Sequence, residues 1–302
     1  MDGKRDIFCP AKLNLALYVN GRTADRFHEI TSLVVRVDFG DRVRLQFLDE
    51  SAAEDVLLCD VANVPADSTN TIMRALSLFR RAYPFQQRLE IVLEKNIPPR
   101  SGLGGGSSDG AHFLQALNGM LGSPLDDASL LKLASFVGKD CPLFFGPSPC
   151  MLCGGGELIE RVDGKRFDGL SHAKFLLFKP EVGVDTEWAY GRFDRGGAWT
   201  LTASDEARSY IAKLANDLRT GHMSSHYYNA LQGVVCEKFI ELQRVIEDLF
   251  EYFKLRAHMT GSGSACYIPL NEEFDCSSVI DYLREILGGG AFIREVRPIL
   301  AS

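Results

Sequence analysis

The chain reads as an α+β protein. Alternation of apolar residues at Leu13, Leu15, Leu17 and Val19 marks a strand, and recurrence at Ala111, Leu114, Leu117 and Leu121 marks a helix. No internal repeat or low-complexity tract points to a solenoid or a linker. With 302 residues, 46% hydrophobic and 24% charged, the chain can build one large domain or two with separate cores. The strand over 174–178 and the break at Lys179-Pro180 favour two, residues 1–168 and 169–302.

The opening strand, 7–19, turns Lys12 and Asn14 to the face opposite its leucines. Residues 31–39 and 41–48 are two further strands, with Gly40-Asp41 as a hairpin turn between them. Asp67-Ser68-Thr69-Asn70 supplies caps for a helix whose buried stripe is Ile72, Leu76, Phe79 and Tyr83. A strand over 89–93 leads into a glycine-rich loop and the helix of Ala111. A helix over 126–137 stops at Gly138, and 147–156 is rich in loop residues. Helices follow over 206–219 and 235–253, the second a single long one because Val235, Phe239, Leu242, Ile246, Leu249 and Phe253 keep one period. Strand, Gly-Ser loop and strand over 257–270, a helix over 278–287 and a strand over 292–299 complete the chain.

A net charge of −7 gives no basic stripe for nucleic acid, so an anionic ligand has to be held by local features, as a small metabolite would be. The first residues lack the apolar core of a signal peptide and no apolar run approaches a membrane span, so a cytoplasmic protein without a membrane partner is expected. Eight scattered cysteines, mostly in apolar segments, read as reduced, buried thiols. Cys150-Met151-Leu152-Cys153 has metal or redox spacing but no Cys/His cluster nearby to complete a zinc site.

The stretch Pro98-Pro99-Arg100-Ser101-Gly102-Leu103-Gly104-Gly105-Gly106-Ser107-Ser108-Asp109 carries four glycines and runs straight into a helix. Unpaired amides and the dipole at a helix N-terminus favour an anion, and glycines let the backbone approach a polyphosphate. The stretch is neither a P-loop, since no Gly-Lys pair is followed by Ser or Thr, nor a G-x-G-x-x-G dinucleotide fingerprint. Asp38-Phe39-Gly40 mimics a protein-kinase motif, but no His-Arg-Asp loop accompanies it.

The loop resembles the phosphate loop of the GHMP kinases, a family of small-molecule kinases. Three other segments extend the resemblance over nearly the whole chain: Pro10-Ala11-Lys12-Leu13-Asn14-Leu15 with Gly21 to Ile30, Gly138-Lys139-Asp140-Cys141-Pro142-Leu143, and Thr260-Gly261-Ser262-Gly263-Ser264. They are similar to those of the members whose acceptor is a cytidine diphosphate-linked methylerythritol, on the non-mevalonate isoprenoid route. The resemblance implies a two-domain fold with a left-handed β-α-β crossover, an active site in the interdomain cleft, and ATP with Mg2+ as cofactors. It also implies that Asp140 accepts or orients the acceptor's hydroxyl proton and that Lys12 neutralises charge beside it. From the residues alone, Asp140 reads as a turn aspartate and Lys12 as a solvated strand lysine.

Asn14, Phe27, His28 and Tyr190 are matched to the substrate, with His28 reading the base edge between the two aromatic rings. Relatives more often carry Tyr where Phe27 stands and a small residue where Lys139 stands. Asn70 and Lys95 match the adenosine side; Pro99, Gly102, Leu103, Gly104, Gly105 and Gly106 form the ATP loop. Ser107 and Ser108 bond phosphate or a magnesium-bound water, and Asp109 reaches magnesium or complements the helix dipole. Gly261, Ser262 and Gly263 form a second glycine loop that packs on the first. The metal ligands and the oligomeric state stay open. Rival readings are a GHMP kinase for mevalonate, homoserine or a sugar, and a nucleotide-binding protein without catalysis.

Overall fold

Gly40 does not turn the chain. In this computed structural model, which describes residues 3–25, 27–49, 51–61, 64–196, 201–220 and 226–301, β1 (Lys4–Arg22) and β2 (His28–Phe47) are both unbroken. The predicted hairpin is replaced by continuous strand because a Cβ on Gly40 would fall 2.2 Å from the Cys9 carbonyl oxygen. The glycine serves close backbone approach, not a turn.

The chain forms two compact units. The first takes the segment ending at Ala11 with Phe39–Ile97 and Gly104–Gly146; the second takes Lys12–Asp38, Pro98–Leu103 and the segment starting at Pro147. The linear division at 168/169 does not coincide with them. β1, β2 and the glycine loop each change unit partway along, so sequence order and compactness part company.

In the first unit, β3 (Val56–Cys59), α1 (Thr71–Ala82) and β4 (Leu89–Glu94) make a β-α-β motif with β3 parallel to β4. β4 also pairs antiparallel with residues 42–47 of β2. α1 starts where Asn70 Oδ1 accepts from the Ile72 amide at 2.9 Å. It buries Ile72, Ala75, Leu76 and Phe79, whereas Tyr83, expected on the stripe, is the C-cap and exposed. α2 (Gly105–Met120) buries Ala111, Leu114 and Leu117, and α3 (Asp127–Val137) is capped by Asp126, which accepts from the Ser129 amide. A 3-10 turn over Cys141–Phe145 follows.

The segment of the second unit that starts at Pro147 opens with a strand where loop was expected. β5 (Cys150–Cys153) pairs antiparallel with residues 32–34 of β2 and with β6 (Leu158–Arg161). Cys150 and Cys153 are buried strand residues, and burial pushes their thiols up to about 12 and about 11, away from thiolate chemistry. Next come β7 (Ala173–Lys179), α4 (Thr186–Asp194), α5 (Ser204–Arg219) and β8 (Tyr228–Asn229), the last parallel to β1 at Ala16 and Leu17. The long helix expected over 235–253 is two, α6 (Gln232–Lys238) and α7 (Ile240–Phe253), broken at Phe239 with φ −109° and ψ 76°. The apolar period survives the break because Phe239, Ile246 and Phe253 pack on one core with Leu242 and Leu249.

β9 (His258–Met259), β10 (Cys266–Asn271), α8 (Ser277–Leu287), β11 (Phe292–Val296) and β12 (Pro298–Ile299) finish the chain. The sheet order β11-β7-β10-β9 is antiparallel throughout, while β12 joins β2 instead, so the single last strand expected is split. No helix among the described residues is long and apolar enough to cross a membrane.

Candidate active site

Alternation along β1 puts Lys12 and Asn14 on one face, as expected, but neither is solvated: they are 5% and 4% exposed. Lys12 Nζ donates to Asn14 Oδ1 at 2.5 Å. Asn14 is held on every side. Its Nδ2 donates to Ser32 Oγ at 2.8 Å, its backbone amide donates to Thr260 Oγ1 at 2.9 Å, and Thr260 Oγ1 donates back to Oδ1 at 3.3 Å. Ser32 Oγ in turn donates to the Ala16 carbonyl. A buried amide with its donor and acceptor both engaged is rigid, so the ammonium that leans on it is aimed.

The two glycine loops supply the rest of this half. The Lys12 amide donates to the Leu103 carbonyl at 2.9 Å, and the Ala265 amide donates to the Ser101 carbonyl at 3.0 Å. Gly102 and Gly261 have φ of +80° and +57°; a Cβ on Gly102 would lie 2.2 Å from the Thr260 carbonyl oxygen, and one on Gly261 3.0 Å from Lys12 Nζ. The expected packing of Pro98–Leu103 against the second loop is therefore present, with Leu103 fully buried and Pro99 exposed. Ser262 Oγ lies 2.8 Å from Thr186 Oγ1, and Gly263 is also left-handed.

Asn229 was missed by sequence reasoning. Its Nδ2 donates to the carbonyls of Met259 and Gly261, at 2.8 and 2.9 Å, and its Oδ1 accepts from the Leu231 amide. The local signal was an Asn two residues before Leu231, whose amide it accepts from as an Asx turn does, not a helix cap.

In the first unit, α2 starts on Gly104, left-handed at φ 76° and without a side-chain cap. The first bond back into the helix runs from the Ser108 amide to the Gly104 carbonyl, so the amides of Gly105, Gly106 and Ser107 head the helix without intrahelical acceptors. Ser107 is half-buried; the Ser108 hydroxyl is buried and lies 3.3 Å from His112 Nδ1. The missing Cβ of Gly105 faces inward, where it would meet Ile97 at 3.0 Å and Lys95 Nζ at 3.1 Å.

Lys95 sits in a buried ion cluster. Its Nζ pairs with Asp41 and, at 2.9 Å, with Asp109 Oδ2. Asp41 Oδ1 accepts from the amides of Asn96 and Ile97 at 2.6 and 2.8 Å. Burial pushes the Asp109 carboxyl above its ordinary range, with Asp41 adding and Lys95 opposing; burial pulls the Lys95 ammonium down, but Asp109 and Asp41 outweigh it and leave it raised. Asn70, matched with Lys95 to the adenosine side, has both side-chain groups engaged locally, Oδ1 as the helix cap and Nδ2 on the Pro65 carbonyl.

Asp140 stands just before the 3-10 turn, half-buried, with φ −84° and ψ −9°. A turn aspartate would cap that turn, yet its carboxylate makes no capping bond. Lys139 is exposed beside it. Among the described residues no three His, Cys, Asp or Glu side chains gather where a metal ion could be held.

α4, also missed, carries Tyr190 and Asp194 one turn apart. His28 Nε2 lies 2.8 Å from Asp194 Oδ1, Arg22 pairs with the other oxygen, and the Tyr190 ring stacks on the imidazole with centroids 4.5 Å apart and planes at 26°. Phe27 is 51% exposed. Tyr190 thus stacks on His28, the side chain matched to the base edge. The cap pattern Asp185-Thr186-Glu187, with Asp185 accepting from the Trp188 amide, was the available signal for this short helix.

Residues 70–146 match the family model for the GHMP kinases N terminal domain. The 4-diphosphocytidyl-2-C-methyl-D-erythritol kinase of Syntrophotalea carbinolica is 32% identical over 288 residues, 95% of this chain and 96% of that protein. The kinase of the same name from Burkholderia thailandensis is 33% identical over 91% of this chain and 88% of its own. A crystal structure of 4-(cytidine 5'-diphospho)-2C-methyl-D-erythritol kinase matches with a TM-score of 0.75 at 26% identity, covering 97% of this chain and 99% of that one. Identity of this order, sustained along almost the whole length, settles the family: the chain belongs to the GHMP kinases, among the 4-diphosphocytidyl-2-C-methyl-D-erythritol kinases.

Proposed function

We propose that the chain transfers the γ-phosphoryl group of ATP to the 2-hydroxyl of 4-diphosphocytidyl-2-C-methyl-D-erythritol, in isoprenoid precursor synthesis. The observation that carries this reading is Lys12, an ammonium buried on a fully bonded asparagine and backed by two left-handed glycines. Phosphoryl transfer through a loose transition state needs positioning and charge stabilisation more than covalent help.

The amides of Gly105, Gly106 and Ser107 bind the phosphates. The acceptor hydroxyl oxygen forms the new bond to γ-phosphorus, the bond from that phosphorus to the β-phosphate bridging oxygen breaks, and ADP leaves. Asp140 orients the hydroxyl and takes its proton; Lys12 stabilises charge on the migrating group. When bound, magnesium would supply charge neutralisation at the nucleotide phosphates, and Ser107 and Ser108 at the head of α2 are the side chains that would hold it, directly or through water. Phe27 and Tyr190 hold the cytosine ring and His28 contacts its edge, while Asp194 fixes the imidazole's orientation.

The test is ADP release by the purified chain with diphosphocytidyl-methylerythritol, mevalonate, homoserine and galactose as acceptors. Turnover with the first alone is expected. Turnover with another acceptor moves the reading to a different GHMP kinase, and ATP binding without turnover on any of them leaves a nucleotide-binding protein.

A further inference from the structure

The ion cluster of the first unit bears on the nucleotide loop. Lys95 follows β4, Asp41 lies on β2, and Asp109 lies on α2 just past its first turn. The cluster ties three elements together at one point. Asp41 fastens the backbone of Asn96 and Ile97, Lys95 bridges from Asp41 to Asp109, and Asp109 belongs to the helix whose first amides face outward. The Nζ of Lys95 lies directly under Gly105, where even a methyl group would come within 3.1 Å of it. Asp109 Oδ1 is buried with no hydrogen-bond partner among the described residues, and Oδ2 accepts from Lys95, the cation paired with this carboxylate. Charged groups are buried so fully only when paired.

We propose that Lys95 is a positioning residue for the phosphate loop: bridging Asp41 to Asp109 beneath Gly105, it fixes the first turn of α2 so that the amides of Gly105, Gly106 and Ser107 converge on the nucleotide phosphates. The role differs from contact with adenosine, to which the resemblance matches this lysine. Two of the three donors of this ammonium are committed to carboxylates inside the unit. The inference rests on the kinase reading only in taking those amides as the phosphate site.

The two roles separate by ligand. Calorimetric titration of the full chain with adenosine, ADP and ATP compares wild type with Lys95→Met, which keeps the stem and removes the charge. Expected is a loss of about tenfold in affinity for ADP and ATP, the scale of an anion's interaction with a helix terminus, with adenosine bound as in wild type. Kinetics should raise the KM for ATP by a similar factor and leave the acceptor KM unchanged. Equal weakening of all three ligands would assign Lys95 to the adenosine pocket and overturn the proposal. So would unchanged affinity for all three.

Should Lys95→Met fail to fold, Asp109→Asn provides the same readout, because the amide keeps the shape and an acceptor for Lys95 while removing the charge. A phosphate-selective loss supports the proposal; no loss, or one shared by adenosine, refutes it. Wild type that binds neither ADP nor ATP would overturn the nucleotide reading and this inference with it. Wild type that binds both but phosphorylates no acceptor would overturn only the catalytic reading.

Discussion

Lys12 and Lys95 are both withdrawn from water, the first in the second unit and the other in the first, yet their partners differ in kind. Lys95 meets two carboxylates, whereas Lys12 leans on the oxygen of an amide that Ser32 and Thr260 hold still. Burying an ammonium costs several kcal/mol unless something compensates, and the two solutions leave different things behind. The carboxylates neutralise Lys95 and turn it into a structural tie. The Asn14 amide, itself neutral, fixes the position of the Lys12 ammonium, which suits the part proposed for it at the phosphate. If Lys12 acts on phosphate and Lys95 positions the loop, as proposed, burial alone does not tell the two roles apart and the chemistry of the partner is the guide.

The largest effect that could break this contrast is on turnover. Lys12→Met should lower kcat by about 10²–10⁴-fold while ADP affinity moves little, the reverse of the pattern expected for Lys95→Met. Lys12→Arg should not restore the rate, since a planar guanidinium cannot replace a compact ammonium against the Gly261 turn. A near-normal rate for either variant in steady-state assays would mean that the partner's chemistry is no guide.

A smaller effect sharpens it. Asn14→Leu removes the amide and leaves Ser32 Oγ and Thr260 Oγ1 with fewer partners, which should cost about 1–3 kcal/mol in urea unfolding. If the amide only aims Lys12, kcat should fall by about tenfold, well short of the loss in Lys12→Met. A rate as low as that of the lysine variant would give Asn14 a direct part in the reaction.

The smallest is a pH slope. The Asp109 carboxyl titrates higher folded than unfolded, so the unfolded chain releases its proton first as pH rises. Its contribution is whole below the ordinary carboxylate range and is lost as pH climbs to the raised folded value. Asp109→Asn should remove that decline, visible as a flatter dependence of the urea midpoint on pH than in wild type. A steeper decline in the variant would refute the assignment. Asn14 carries no titratable group, so Asn14 variants should leave the slope alone.

The glycine loop and its helix, the Asn70 and Asp126 caps, and the alternation of β1 were legible because each is a local pattern. Other features were not, for physical reasons. Gly40-Asp41 has the chemistry of a turn, but the close pass of Cys9 is a tertiary fact. The break at Phe239 is invisible to periodicity because both helices feed one core in the same phase. The residues at 12, 14 and 140 were singled out through motif resemblance, while the burial of Lys12 depends on Thr260 and Leu103, far away in sequence. The Asp41–Lys95–Asp109 cluster spans three elements and has no sequence signature at all.

The long reach of Asn14 also sets a timetable for synthesis. Asn14 and Thr260, whose bond steadies Lys12, are 246 residues apart, and β8, the parallel neighbour of β1, is nearly as distant. A ribosome adding about 5–20 residues per second needs roughly ten to fifty seconds to cover that span. Residues 12–19, apolar and strand-forming, leave the tunnel long before Thr260 and β8 exist. The growing chain must carry the strand that bears its key lysine as an unfinished edge, exposed to wrong pairings, until its last third arrives.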